Sequence, residues 1–98
     1  MARARGRAGS HTTLIEAAVP VAKAFEREGR VSRGMIEAGI RAKSHAIKVM
    51  PLPGCLRVTV VSKGSRQELH VYGITLERAR ILLSSTDFAG YNLNFPAA

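Results

Sequence analysis

The chain begins with arginines that alternate with small residues, a pattern that suits contact with phosphate. Arg3, Arg5 and Arg7 precede a Gly-Ser-His-Thr-Thr run at 9–13, which leads into an apolar segment. If a helix begins there, its free amide groups would also attract anions. Three interpretations stay open: an arm that contacts phosphate, which we favour, a solubilising tail, and a metal site that uses His11.

A second group of cations lies in segments where apolar residues recur at every second position, as in a β-strand. If the apolar series faces the core, the opposite face carries cationic, apolar and aromatic groups together. The inward series would be Leu56, Val58, Val60, Leu69 and Val71, and the outward series Lys48, Met50, Arg57, Thr59, Val61, Arg66, Glu68, His70 and Tyr72. Such a face suits phosphates and stacked bases. An ordinary solvated surface, or one covered by the C-terminal tail or a second subunit, are the alternatives.

Residues that bind metals are few and not at ligand spacing. His11, His45, His70 and Cys55 are far apart in the sequence, and the alternation puts His45 and His70 on opposite faces of the sheet. A single cysteine excludes an internal disulfide and zinc sites built from paired cysteines. We therefore expect no cofactor, with a transition metal such as zinc at His11 as the alternative.

Catalytic chemistry is not indicated. Glu16 fits a helix cap, and Glu26, Glu28 and Glu77 have the spacing of helix-surface charges. No serine, cysteine or histidine stands in an arrangement that predicts nucleophilic catalysis. We predict that the protein is not an enzyme and has no catalytic residues.

The composition indicates an anionic partner. The chain of 98 residues has 15 basic and 7 acidic side chains, a net charge of +8, and 46% hydrophobic residues, enough for a core. A domain this basic repels itself unless something anionic is nearby. No apolar run approaches the roughly 20 residues that cross a bilayer. We expect a cytoplasmic protein that binds nucleic acid, RNA rather than DNA, with no membrane association.

The apolar segment after the arm has the spacing of an amphipathic helix. Thr13 and Glu16 fit a capping box, and apolar residues follow at intervals of four and three until Gly29, a left-handed C-cap. Pro20 interrupts this pattern. It either kinks the helix or is the first residue of a shorter one.

Residues 45–72 predict three strands, because turn sequences at 51–54 and 63–65 divide them. For residues 30–44 the sequence does not distinguish a strand from an irregular turn. A second helix, capped by Thr75, is predicted at 76–85. The fold class is therefore α+β: a two-layer sandwich of a three-stranded antiparallel sheet with two helices on one face, in the order α-β-β-β-α, with room for an extra C-terminal strand.

The C-terminal tail carries alternating apolar residues. Tyr91, Leu93 and Phe95 would share one face of a strand, which either joins its own sheet or crosses to a second copy; we favour crossing and hence a homodimer. The domain organisation is then a flexible basic arm at 1–9, a single α+β domain at 10–86 and an aromatic tail, either a strand or a docking arm, at 87–98.

Three stretches resemble a known family. "SHTTLIEAA" at 10–18, "GMI" at 34–36 and "SRQELHVYG" at 65–73 are similar to a family of short prokaryotic proteins labelled predicted metal-binding. The likeness extends from residue 10 to about residue 83 in the same order of elements. It implies that His11, with polar groups near it, binds a metal.

The sequence as a whole favours a small RNA-binding protein that contacts phosphates without sequence specificity. A metal-binding accessory or regulatory protein that uses His11, and a homo-oligomeric interaction module that uses the tail, are the alternatives. Tyr72 is the expected platform for base stacking. The expected phosphate contacts are Arg3, Arg5, Arg7, Arg41, Lys43, Lys48, Arg57 and Arg66.

Overall fold

The computed structural model describes residues 13–42 and 44–96, which form seven regular elements in the order α-β-β-β-β-α-β. Helix α1 has a short 3₁₀ turn, Glu16–Ala18, before it, and helix α2 has another, Thr86–Phe88, after it. The helices are α1 (Val19–Glu26) and α2 (Leu76–Leu83), and the strands are β1 (Arg30–Ile40), β2 (His45–Leu52), β3 (Cys55–Ser62), β4 (Gly64–Tyr72) and β5 (Tyr91–Asn94).

The sheet is mixed and has five strands in the order β1-β4-β3-β2-β5. Strands β2, β3 and β4 form the predicted antiparallel meander, β1 adds to β4 antiparallel, and β5 adds to β2 in parallel. The prediction of a three-stranded antiparallel sheet is therefore wrong, although the chain keeps an α+β character. Both hairpins turn through a glycine with positive φ, Gly54 at 88° and Gly64 at 80°, where a side chain would be strained.

Strand β1 forms where the sequence left a strand and a turn open. Its pairing with β4 shifts register between Arg33 and Ile36 and again between Ala38 and Ile40. An extra residue at such a bulge breaks the two-residue alternation and increases the local twist. The apolar pattern of a strand is consequently hidden in this segment.

The hydrophobic core lies between the helices and one face of the sheet. Val21 and Phe25 of α1 and Ala79 and Leu83 of α2 are buried against the same cluster, so both helices lie on one face as predicted. The sheet contributes inward side chains from its three central strands: Ile47, Val49, Leu56, Val58, Val60, Leu69 and Val71. No element within the described part of the chain covers the other face.

The start of α1 differs from the sequence prediction. Neither its first residue nor the preceding 3₁₀ turn has a side-chain cap, so the capping box of Thr13 and Glu16 does not form. Pro20 lies in the first turn of α1, where its missing N–H costs no hydrogen bond. Of the two alternatives, a kinked helix and a shorter helix that starts at Pro20, this position agrees better with the second.

The segment before α1 is held by a buried glutamine of β4 instead of a cap. Gln67 is fully buried, and its Oε1 accepts a hydrogen bond from the Ile15 N–H at 2.9 Å. Its Nε2 donates to the Thr13 carbonyl at 3.2 Å. One side chain therefore satisfies a donor and an acceptor of a chain segment that belongs to no regular element.

Helix α2 begins as the sequence predicts. The Thr75 hydroxyl accepts a hydrogen bond from the Arg78 N–H at 3.1 Å. The Arg78 guanidinium also donates to both carboxylate oxygens of Glu28, at 2.6 and 2.7 Å, which connects the start of α2 to the end of α1. The Glu28 pKa is lowered by this pairing with Arg78.

The C-terminal tail adds to the sheet of its own chain. Tyr91, Leu93 and Phe95 pack against the core. The Tyr91 hydroxyl donates to the Ala17 carbonyl at 2.7 Å, and its ring centroid lies 5.3 Å from that of His45. The tail therefore joins its own sheet, whereas the sequence favoured a tail that crosses to a second copy. An interface between subunits through these three side chains, and the homodimer, stay predictions.

Burial raises the pKa of Tyr91, which makes the anchoring of β5 sensitive to alkali. A tyrosine whose pKa is higher in the folded than in the unfolded chain stabilises the fold below the unfolded pKa of about 10 and loses that contribution above it. We expect Tyr91→Phe to cost about 1 kcal/mol near neutral pH through the lost hydrogen bond. The difference from wild type should shrink as the pH rises above about 10.

Urea unfolding followed by circular dichroism across this pH range measures both effects. Since Tyr72→Phe removes the other tyrosine hydroxyl, it is the matched control. A difference between wild type and Tyr91→Phe that stays constant into alkali would contradict the assigned burial.

Candidate nucleic-acid interface

The candidate interface is the face of the sheet that points away from the helices. Strand pairing aligns Met50, Arg57 and His70 across β2, β3 and β4, each beside an inward-facing neighbour such as Val58. The remaining outward positions follow from the same register. They are Lys48, Thr59, Val61, Arg66, Glu68 and Tyr72, as the alternation predicted.

A line of cationic and aromatic residues crosses this face diagonally, from β2 over β3 and β4 to β1. Arg57 of β3 pairs with Met50 of β2 and His70 of β4. Lys48 lies two residues before Met50 on β2, and Tyr72 lies two residues after His70 on β4, toward the opposite end of the strands. Each is therefore a diagonal neighbour of Arg57, at about 7–8 Å. We call Lys48, Arg57, Tyr72 and Arg30 the diagonal track; it spans about 20 Å from β2 to β1 at ordinary strand spacings.

Arg30 completes this track and was not among the residues predicted from the sequence. It pairs with Tyr72 in the register of β1 and β4, and its guanidinium carbon lies 4.0 Å from the centroid of the Tyr72 ring. Tyr72, the expected stacking platform, therefore already carries a cation on its ring. Only the pairing of β1 with β4 reveals this, because 42 positions separate the two residues in the sequence.

The other charged groups of this face are partly neutralised. Arg66 forms an ion pair with Glu37 of β1, and His70 Nε2 lies 3.8 Å from the Glu68 carboxylate. Among residues 13–42 and 44–96, no ion pair involves Lys48 or Arg57. These two cations, together with the exposed Arg30 on the Tyr72 ring, are therefore available to an anionic ligand.

Charge is divided unequally between the two layers of the fold. Residues 30–72, which contain β1 to β4, carry eight basic and two acidic side chains. The rest of the chain from residue 13, which contains the helices and β5, carries four basic and five acidic ones. The positive charge of the folded domain thus belongs to the strands and their connections, and the helical layer is close to neutral.

The remaining predicted phosphate contacts are not in the diagonal track. Arg41 is exposed just after the end of β1 that pairs with Gly64, which places it near Arg66 and far from Arg30. Lys43 and the arginines of the arm, Arg3, Arg5 and Arg7, lie outside the described residues. Their contacts with phosphate stay predictions.

A metal centre does not emerge from the described residues. Within residues 13–42 and 44–96, no three histidine, cysteine, aspartate or glutamate side chains are placed to hold an ion. His45 and His70 lie on opposite faces of the sheet, as predicted, and Cys55 is half-buried. His11 lies outside the described residues, so a metal at that position stays a prediction.

The helical side has shallow grooves. One of about 310 Å³ and one of about 200 Å³ share Ala24, Arg27, Asp87 and Phe88 in their walls. Both signs of charge meet there, and neither groove reaches the diagonal track. The grooves therefore do not indicate the same ligand as the sheet face.

Comparison with protein-family models, with curated proteins and with solved structures finds no match for this chain. The resemblance to a metal-binding family therefore stays a prediction. Neither the length nor the hydrophobicity required of a membrane-spanning helix is reached by any helix in residues 13–42 and 44–96.

Proposed function

We propose that this protein binds nucleic acid, RNA rather than DNA, through the uncovered face of its sheet and mainly through phosphates. The observation that carries the proposal is the charge of that face, on which the strand register places four basic side chains, Arg30, Lys48, Arg57 and Arg66, against two acidic ones, Glu37 and Glu68. A cationic face attracts and orients a polyanion, and the excess of basic over acidic side chains in residues 30–72 as a whole, eight against two, adds to this attraction. A cytoplasmic location is part of this proposal.

Lys48 and Arg57 make the principal phosphate contacts. They are diagonal neighbours on the same face, without an ion pair among the described residues, so they reach phosphates at adjacent points of a backbone. Arg66 contributes less, because Glu37 already neutralises part of its charge. Contacts of this kind position a ligand without reading its sequence.

Replacing Lys48 and Arg57 with alanine tests the proposal. For a single strand, each phosphate contact that is lost reduces the magnitude of the slope of log affinity against log salt by about 0.7. The slope of the double variant should therefore be smaller than that of wild type by about 1.4. The measurement is fluorescence anisotropy of a labelled RNA over a salt series. At moderate salt we expect the affinity to fall by at least about tenfold.

A matched control lies on the helical side. Lys23→Ala with Arg27→Ala removes the same charge from exposed positions of α1 and the turn after it, and should leave the slope close to that of wild type. Equal losses in the two double variants would show that net charge rather than the sheet face controls binding. An affinity that does not change with salt would contradict phosphate binding altogether.

A further inference from the structure

We propose that the sheet face binds a single strand and that Arg30, held on Tyr72, is its base-stacking position; this inference rests on the proposed function. The Arg30 guanidinium carbon lies 4.0 Å from the centroid of the Tyr72 ring. Arg30 is exposed and Tyr72 is half-buried, so the guanidinium remains accessible to a ligand while it rests on the ring. It is a planar, weakly hydrated group, and such a plane stacks on bases as aromatic rings do.

The Tyr72 ring orients this plane before any ligand arrives. An isolated arginine loses much rotamer freedom when it is fixed on a base, whereas a guanidinium that already rests on an aromatic ring loses less. Arg30 is also the first residue of β1, and its backbone is aligned with Tyr72 by the register of the sheet. Backbone and side chain together define where the stacked base lies.

The position of the pair on the diagonal track favours a single strand. Lys48 and Arg57 offer charge to phosphates, and the next diagonal neighbour, Tyr72 with the Arg30 guanidinium on its ring, offers a stacking plane instead. In a duplex the bases are stacked on each other and only phosphates and groove edges are accessible. An unpaired base in contact with Arg30, with its neighbouring phosphates on Arg57 and Lys48, uses all parts of the track.

Arg30→Lys separates stacking from charge, because lysine keeps the cation but has no plane. The probes are a uridine oligonucleotide, an adenosine oligonucleotide and an RNA duplex of equal phosphate number, each labelled for anisotropy. We expect wild type to bind the single strands more tightly than the duplex. Arg30→Lys should weaken binding of the single strands by about tenfold, within the range measured for the loss of one stacked base, with no change in salt slope.

Two variants of Tyr72 complete the test. Tyr72→Phe keeps the ring under the guanidinium and should bind as wild type does, whereas Tyr72→Ala should lose about as much as Arg30→Lys. Circular dichroism confirms that each variant is folded. Tighter binding of the duplex than of the single strands by wild type, or single-strand binding that Arg30→Lys leaves unchanged, would overturn the stacking position. If either result is found while the Lys48 and Arg57 double variant still lowers the salt slope, the proposed function stands and only the stacking position is overturned. A wild type that binds none of the probes would overturn the proposed function and the stacking position together.

Discussion

Gly29→Ala should lower the free energy of unfolding by about 3 kcal/mol, a large loss for one methyl group. A Cβ at this position would lie well inside van der Waals contact with the carbonyl oxygen of Tyr72 and 3.0 Å from the Ile74 side chain. The carbonyl belongs to the backbone of the β4 end and cannot rotate away. The structure therefore requires glycine here for close approach and not for a left-handed backbone, since Gly29 is not among the described glycines with positive φ.

The same substitution should affect the diagonal track. Gly29 immediately precedes Arg30, so a backbone shift that relieves the contact would move Arg30 off the Tyr72 ring. Urea unfolding followed by circular dichroism measures the stability. Gly90→Ala is the matched control, because a Cβ there meets no atom within 4 Å and Gly90 has no positive φ; it should change stability by less than about 1 kcal/mol. Equal stability of the two variants would contradict the close approach at Gly29.

Gln67→Leu should cost about 2–3 kcal/mol although leucine fits an apolar core. The substitution removes the hydrogen bonds to Ile15 and Thr13 and leaves a partly buried amide and carbonyl without these partners. Backbone groups that are buried and unpaired cost more than a hydrogen bond contributes when it forms. Amide hydrogen exchange at Ile15 should accelerate, because its N–H loses its acceptor.

Gln67→Glu distinguishes hydrogen bonding from packing. A protonated carboxyl can accept from Ile15 and donate to Thr13, whereas a carboxylate can only accept and is charged in the core. Burial should raise the pKa of this carboxyl above its unfolded value of about 4.3, so the variant should gain stability relative to wild type as the pH falls through that raised pKa. A Gln67→Leu variant as stable as wild type, or a Gln67→Glu variant without this pH dependence, would contradict the role assigned to Gln67.

The central meander was predictable because its local signals agree. Apolar residues at 56, 58 and 60 and at 69 and 71 face inward, and turns fall at Gly54 and Gly64, where positive φ favours glycine. Thr75 likewise caps α2 in the predicted way. Where composition, alternation and turn residues indicate one structure, a single sequence is enough.

The elements that the sequence left open depend on partners far away along the chain. Bulges hide the alternation of apolar residues in β1. The five residues of the tail, 91–95, contain nothing that identifies β2 as the partner of β5 or the pairing as parallel. Thr13 and Glu16 match a capping box, but Gln67 binds the backbone of Thr13 and Ile15, Glu16 begins a 3₁₀ turn, and α1 begins only after that turn. Arg30 could be assigned to the candidate site only after the register of β1 against β4 was known.

The order of strands in the sheet also bears on how the molecule folds. The three central strands are joined by tight hairpins, which close short loops, whereas β1 pairs with residues 24 to 42 positions away along the chain. Closing longer loops costs more entropy, and contacts distant in sequence form more slowly. We therefore expect Lys48, Arg57 and Tyr72 to be assembled with the meander. We expect Arg30 to join them only when the edge strand docks, so that the proposed stacking position is completed among the last contacts of the folding reaction.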